Sequence, residues 1–246
     1  MKEQVVVISG AEGGIGKALC RAFGEAGYFV VGTDRERRDV AVDAFILQDL
    51  DALVRDSQRQ EGMVGELAKS IGSRSVGCLV NNAALQIIRS IERLSVEDWQ
   101  TSLNVNVLAP FVLTKLLLPR LEASRGVVLN IASIHATLTK PEFLAYATSK
   151  AALVGLTRSM SVELGGRVRV NAICPAAIDT DMLRSGFVGK EEELAKLKAA
   201  HPVGRIGTPS EVAAFAVMLA SPAFSFMSGG IYNFDGAISS RLHDPI

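Results

Sequence analysis

Short, almost continuously apolar runs rich in Val and Ile alternate along this chain with longer stretches of helical periodicity, and few folds accommodate that rhythm. Candidate strands lie at residues 5–9, 28–34, 44–47, 77–81, 127–132, 168–173 and 231–234. Candidate helices lie near residues 15–26, 50–70, 95–123, 146–164 and 210–220. A strand that is apolar on both faces needs cover on both faces, as in a parallel sheet between helix layers. The alternation predicts right-handed crossovers, and hence an α/β, doubly wound parallel sheet of about seven strands flanked by helices. No linker composition interrupts it, so residues 1–246 are expected to form a single domain. The segment RERRDVAVDA after Asp34 is too charged and broken for a helix and predicts an abbreviated crossover. Residues 176–203 are the reverse: a long excursion after a strand, with Gly186 and Gly189 as candidate hinges, expected to form a mobile substrate loop.

Charge narrows the partners. Lys+Arg and Asp+Glu each number 26, so no net field draws the chain to nucleic acid, membrane or acidic proteins. The opening MKEQVVVISG has no signal-peptide pattern, and no apolar run is long enough to span a bilayer. Cys20, Cys78 and Cys174 are scattered and read as reduced thiols, Cys174 as a small buried apolar residue. His135 and His201 lack ligand spacing, so no catalytic metal is expected. The expectation is a soluble cytoplasmic protein.

The first strand runs directly into Gly10-Ala11-Glu12-Gly13-Gly14-Ile15-Gly16, and a helical pattern follows. Glycines at Gly10, Gly14 and Gly16 permit a tight turn and close backbone approach to a pyrophosphate, with the new helix aiming free N–H groups at it. Taken alone, such a turn can also be an ordinary loop. The second strand ends at Asp34, where a carboxylate can accept both ribose hydroxyls of an adenosine and would repel a 2′-phosphate. That favours NAD over NADP, although Arg35 next to it can pair with a phosphate, and Asp34 can serve simply as a turn residue.

Tyr146 and Lys150 stand at i and i+4, on one helix face. A phenol is too weak an acid to act as a base at neutral pH, but a nearby ammonium and an oxidised nicotinamide would both stabilise phenolate. The alternative is a solvated helix face. Upstream, the strand ending at Ser133 offers a hydroxyl that could orient a substrate oxygen. Asn106, in the otherwise apolar LNVNV, reads either as a buried amide bonded to backbone or as a water-holding residue in a proton path.

Together these residues resemble the single-domain short-chain dehydrogenase/reductase family, a Rossmann-type fold, over almost the whole chain. The glycine turn appears as Ser9-Gly10…Gly14-Ile15-Gly16, with Ser9 where Thr is usual. The pair flanking adenine appears as Asp49-Leu50, and the Asn-Asn-Ala-Gly strand end as Asn81-Asn82-Ala83-Ala84. Arg169-Val170-Asn171 and Asp235-Gly236 match later landmarks. The resemblance implies that Tyr146 exchanges a proton with the substrate oxygen, Ser133 holds that oxygen, Lys150 bonds the nicotinamide ribose, and Asn106 anchors a water. It implies cofactor contacts from Gly10, Glu12, Gly14, Ile15, Gly16, Asp34, Arg35, Asp49, Leu50, Asn82, Ala83, Pro175, Ile178 and Thr180. Ala84, Ala176 and Ala237 replace family glycines, which would cost about 1 kcal/mol wherever φ is positive.

The function expected from all this is hydride transfer between NAD(H) and a secondary alcohol or carbonyl. Gln86, His135 and Thr137 could satisfy hydroxyls of a small polar, sugar-like or cyclic substrate. Two alternatives stand beside it: an NADPH-dependent 3-oxoacyl-type ketoreductase, and a catalytically silent dinucleotide sensor. The family implies a homotetramer, supported by excess apolar surface on the 95–123 helix and with the 239–246 tail near a neighbouring subunit.

Overall fold

The computed structural model describes residues 4–242. Seven strands form one parallel sheet in the order β3-β2-β1-β4-β5-β6-β7. They are β1 Gln4–Ser9, β2 Phe29–Asp34, β3 Ala44–Leu47, β4 Ser75–Asn81, β5 Val127–Ile131, β6 Arg169–Pro175 and β7 Ile231–Phe234. Strand order reverses direction between β1 and β4, and the carboxyl ends of strands flanking such a switch point leave a crevice.

Alternation within β1 decides which helix covers which face. Val5 and Val7 pack with Leu53, Leu67, Leu113, Leu117 and Leu164. These come from α2 Leu50–Arg55, α3 Ser57–Ile71, α5 Ala109–Ser124 and α6 Leu144–Leu164. Val6 and Ile8 point the other way, onto Leu19 and Phe23 of α1 Gly14–Glu25 and Ala216 and Leu219 of α9 Pro209–Ala220. Both faces are therefore covered, which is why β1 is buried from Val5 to Ser9.

The helix boundaries differ from the periodicity reading in three places. The 50–70 stretch is two helices, because the Asp56 side chain accepts the Gln58 N–H and starts a new one. The 95–123 stretch is α4 Val96–Leu103, a π-turn at Asn104–Leu108, and α5. Inside the turn both Asn104 and Asn106 are buried. The 176–203 excursion carries α7 Asp181–Ser185 and α8 Glu191–Ala200. Gly189 has φ +70, whereas Gly186, at φ −71, is ordinary helical backbone. No helix intervenes between β2 and β3, as the charged segment predicts.

By length and composition the Val96–Ser124 run could cross a membrane, yet half of its most apolar 18-residue window is buried in this fold. Of the three family-glycine positions, only Ala237 has a positive φ (+68). The strain expected at Ala84 and Ala176 is absent for that reason.

Candidate active site

At the carboxyl end of β1 the chain makes the glycine turn. Gly10 has φ +66, and a Cβ there would sit 2.8 Å from Ala83 Cα. A Cβ on Gly16 would collide with the Gly10 carbonyl oxygen, and one on Gly14 would lie 2.9 Å from Thr180 Cγ2. Helix α1 has no side-chain cap and no acidic residue in its first turn. Its leading N–H groups thus remain for an anion, so the turn fits a dinucleotide pyrophosphate.

The end of β4 is tied to this turn. Asn82 Nδ2 donates to the carbonyls of Ser9 and Gly10, both at 3.0 Å. The Ser9 hydroxyl accepts N–H from Asn82 and Ala83 at 3.1 Å, so Ser fills the role for which Thr is usual. At β2, Asp34 Oδ2 accepts the Glu12 N–H at 3.0 Å and Oδ1 accepts the Arg35 N–H at 2.8 Å. Each oxygen keeps a further lone pair for a ligand hydroxyl. The Asp49 side chain caps α2 through the Ala52 N–H at 3.0 Å, with Leu50 opening that helix. The Glu12 carboxylate faces the backbone of residues 38–40.

Beyond β5, Ser133 caps a short 3-10 turn, its Oγ accepting the His135 N–H at 3.1 Å. Tyr146 and Lys150 project from the first turns of α6, and Lys150 Nζ donates to the Ile131 carbonyl at 2.8 Å. Burial brings the Lys150 ammonium down to about 8. Burial likewise pushes the Tyr146 phenol above its ordinary value, and a hydrogen bond with Ser133 partly offsets this. The ammonium is turned to the Ile131 carbonyl, 5.7 Å from the phenol ring centroid, and desolvation dominates.

Asn106 follows the buried-amide reading. Its Oδ1 accepts the Leu85 N–H at 2.8 Å, and Nδ2 donates to the Leu85 carbonyl and Ser149 Oγ, both at 2.9 Å. Ser149 in turn donates to the Tyr146 carbonyl at 2.7 Å. The π-turn therefore orients the start of α6 through a residue the sequence reading passed over. A second unforeseen network lies beneath it: Asn81 Nδ2 to Asn130 Oδ1 at 2.8 Å, then Asn130 Nδ2 to Thr157 Oγ1 at 2.9 Å. This ladder locks β4, β5 and α6 together under the site.

The His135 ring stacks on Phe143 (centroids 4.6 Å apart, planes 4° apart) and meets Tyr146 edge-on at 5.6 Å. Burial, and secondarily the Lys140 charge, hold its pKa below the usual histidine value. Its Nδ1 lies 3.1 Å from Thr139 Oγ1. Gln86 is exposed on the loop after β4. Thr137 is exposed too, and its hydroxyl donates to the Ile134 carbonyl at 3.2 Å. Pro175 ends β6; Ile178 is buried and bridges to Gly207; Thr180 caps α7 by accepting the Leu183 N–H at 3.2 Å. No cluster of metal-ligating side chains exists among the described residues.

A glycine cradle, a strand-end carboxylate, and a half-buried Tyr146 with buried Ser133 and Lys150 make an arrangement that fits a dinucleotide-dependent oxidoreductase. A family model described as enoyl-(acyl carrier protein) reductase matches residues 10–239. The 3-oxoacyl-[acyl-carrier-protein] reductase of Thermotoga maritima is 30% identical over 97% of this chain and 98% of that protein. The meso-2,3-butanediol dehydrogenase of Serratia marcescens is 32% identical over 98% of this chain and 97% of that one. The ligand-free aldohexose dehydrogenase of Thermoplasma acidophilum superposes with a TM-score of 0.91 at 31% identity, covering 100% of this chain and 98% of that chain. This chain belongs to the short-chain dehydrogenase/reductase family, and it is an oxidoreductase of alcohols and carbonyls.

Proposed function

We propose that this protein transfers hydride between NAD(H) and a small polyhydroxy or cyclic secondary alcohol or its ketone, with Tyr146 exchanging the proton. The observation that carries the cofactor half is the Asp34 carboxylate, aimed by one backbone N–H on each oxygen. A 2′-phosphate brought there would meet a fixed negative charge. Asp49, Leu50, Asn82 and Ala83 would flank the adenosine and the turn, and Pro175, Ile178 and Thr180 the carboxamide end. When bound, the nicotinamide supplies the hydride donor or acceptor and, oxidised, a positive charge close to the phenol.

The chain's own residues supply the proton chemistry. Tyr146, held neutral by burial, donates its proton to the substrate oxygen during reduction. The Ser133 hydroxyl holds that oxygen where charge develops. Lys150 holds the ribose, and Asn106 positions the α6 turn through Ser149. Residues 176–203, anchored at the Ile178–Gly207 bridge, serve as a mobile substrate loop. The substrate class rests on His135, whose ring meets the Tyr146 ring at 5.6 Å, with Gln86 as a second contact.

A second reading is NADPH-dependent reduction of a carrier-bound 3-oxoacyl group, favoured by the Thermotoga relative and by exposed Leu138, Met182 and Val188. One assay separates the two: kcat/KM with NAD(H) and NADP(H), for a polyol and sugar panel against acyl thioesters. The proposal expects NAD and the polar panel to win. Preference for NADPH by tenfold or more overturns the Asp34 argument and leaves Arg35 in control. Preference for thioesters by more than about tenfold, roughly 1.4 kcal/mol of differential transition-state binding, overturns the substrate class.

The assembly proposed is a homotetramer, supported by exposed Leu108 in the π-turn, Phe111 on α5 and Leu144 on α6. Of the tail expected at a neighbouring subunit, residues 243–246 lie outside the described residues.

A further inference from the structure

Glu12 is the one charged residue in a turn otherwise made of Gly, Ala and Ile, and its carboxylate is fully engaged. Only 7% of the residue is exposed. Oε1 accepts N–H from Arg38 at 2.6 Å and from Val40 at 3.3 Å, and Oε2 accepts N–H from Asp39 at 3.3 Å. Lys17 Nζ stands 3.7 Å from Oε2 and also pairs with Asp39. Burial alone would raise the carboxyl, but the three backbone N–H groups and Lys17 outweigh it and hold it below its ordinary value. With its acceptors occupied this way, the side chain is an anchor and not a phosphate ligand.

The same residue touches the adenosine-ribose position from the other side, because its backbone N–H donates to Asp34 Oδ2. Glu12 thus grips both the carboxylate at the end of β2 and the loop that follows it. Of the three arginines that follow Asp34, Arg35 adjoins the carboxylate and lies outside the latch, while the guanidiniums of Arg37 and Arg38 are already engaged. Arg38 pairs with Glu36 at 2.9 Å, and Arg37 lies over the Phe45 ring at 5.4 Å. A 2′-phosphate needs a guanidinium brought to the ribose. A loop fastened at residues 38–40 keeps these two elsewhere.

We infer that Glu12 is a specificity-determining latch: by pinning residues 38–40 across the glycine turn it presents Asp34 to the ribose and withholds Arg37 and Arg38 from a 2′-phosphate. The inference rests on the NAD preference proposed above, and its structural half is testable without turnover.

Amide hydrogen exchange on the wild-type protein comes first. Arg38, Asp39 and Val40 should exchange at least tenfold more slowly than Glu36 and Arg37 in the same loop. In Glu12→Ala their protection should fall by tenfold or more, and the ratio of kcat/KM for NAD to that for NADP should fall by about tenfold. Glu12→Gln keeps one acceptor oxygen and should fall between; it is the variant to read if Glu12→Ala does not fold. Equal exchange across the wild-type loop, or unchanged exchange at residues 38–40 in the variants, overturns the latch. Loosened exchange with a cofactor ratio moving less than threefold overturns its role in selection. A changed ratio with unchanged exchange means that Glu12 acts by charge alone, which also overturns it. A wild-type preference for NADP is a failure of the Asp34 reading, visible before any variant is made.

Discussion

Replacing Lys150 by Met should abolish most turnover yet raise stability at neutral pH, and the size of that gain should depend on pH. Lys150 is 2% exposed, and its ammonium donates a hydrogen bond to the Ile131 carbonyl. Its pKa of about 8, against the ordinary 10.5, corresponds to a folding penalty of about 3 kcal/mol wherever the unfolded lysine is charged and the folded one must be too. Methionine removes that penalty but leaves the Ile131 carbonyl without its donor, a cost of about 1–3 kcal/mol. The net gain at pH 7 is thus between about 0 and 2 kcal/mol, or a Tm rise of up to roughly 8 °C for a chain of this size. The sign of the pH dependence follows from a folded-state pKa below the unfolded one. The penalty is complete below pH 8 and fades between about 8 and 10.5, because the folded protein gives up the proton first. From pH 7 to 9.5 the wild type should therefore recover about 2 kcal/mol relative to Lys150→Met. Scanning calorimetry of both proteins at several pH values reads this directly, since other titrating groups cancel in the difference. A stability difference that stays constant across that range would refute the desolvated-ammonium argument. Retained turnover in the variant would refute the role proposed for Lys150.

Tyr146→Phe keeps the ring against His135 but removes the transferable proton, so kcat should fall by about 10² or more while NAD affinity, measured by calorimetry, changes little. Asn130→Ala leaves the Asn81 amide and the Thr157 hydroxyl without their mutual partner, costing roughly 2–4 kcal/mol. A denaturant midpoint lowered at unchanged slope would bear that out, and an unchanged midpoint would show that the ladder is structurally idle. Light scattering at micromolar concentration should report four times the 26.2 kDa chain mass; a monomer would remove the proposed role of exposed Leu108, Phe111 and Leu144.

What the chain order alone determines here is local chemistry at short spacing. Continuous β-branched runs cannot tolerate solvent on either face, so the parallel sheet and its seven strands are readable before any coordinates. Gly10, Gly14 and Gly16 are legible because a turn and its helix span few residues, and Tyr146 with Lys150 because a helix repeats every 3.6. The break at Asp56 carries a local signal too, an Asp-Ser start that periodicity alone overlooks. The remainder depends on which strands become neighbours. Ser9 meets Asn82 because β1 pairs with β4, and Asn130 joins Asn81 to Thr157 because β5 lies between β4 and α6. The partners of Asn106, the stacking of His135 on Phe143 and the hold of Glu12 on residues 38–40 likewise join loops and turns that meet only once the sheet is assembled. Desolvation belongs to the same class. Nothing in the Tyr146–Lys150 spacing says that burial outweighs their mutual effect, because burial is a property of everything packed around them.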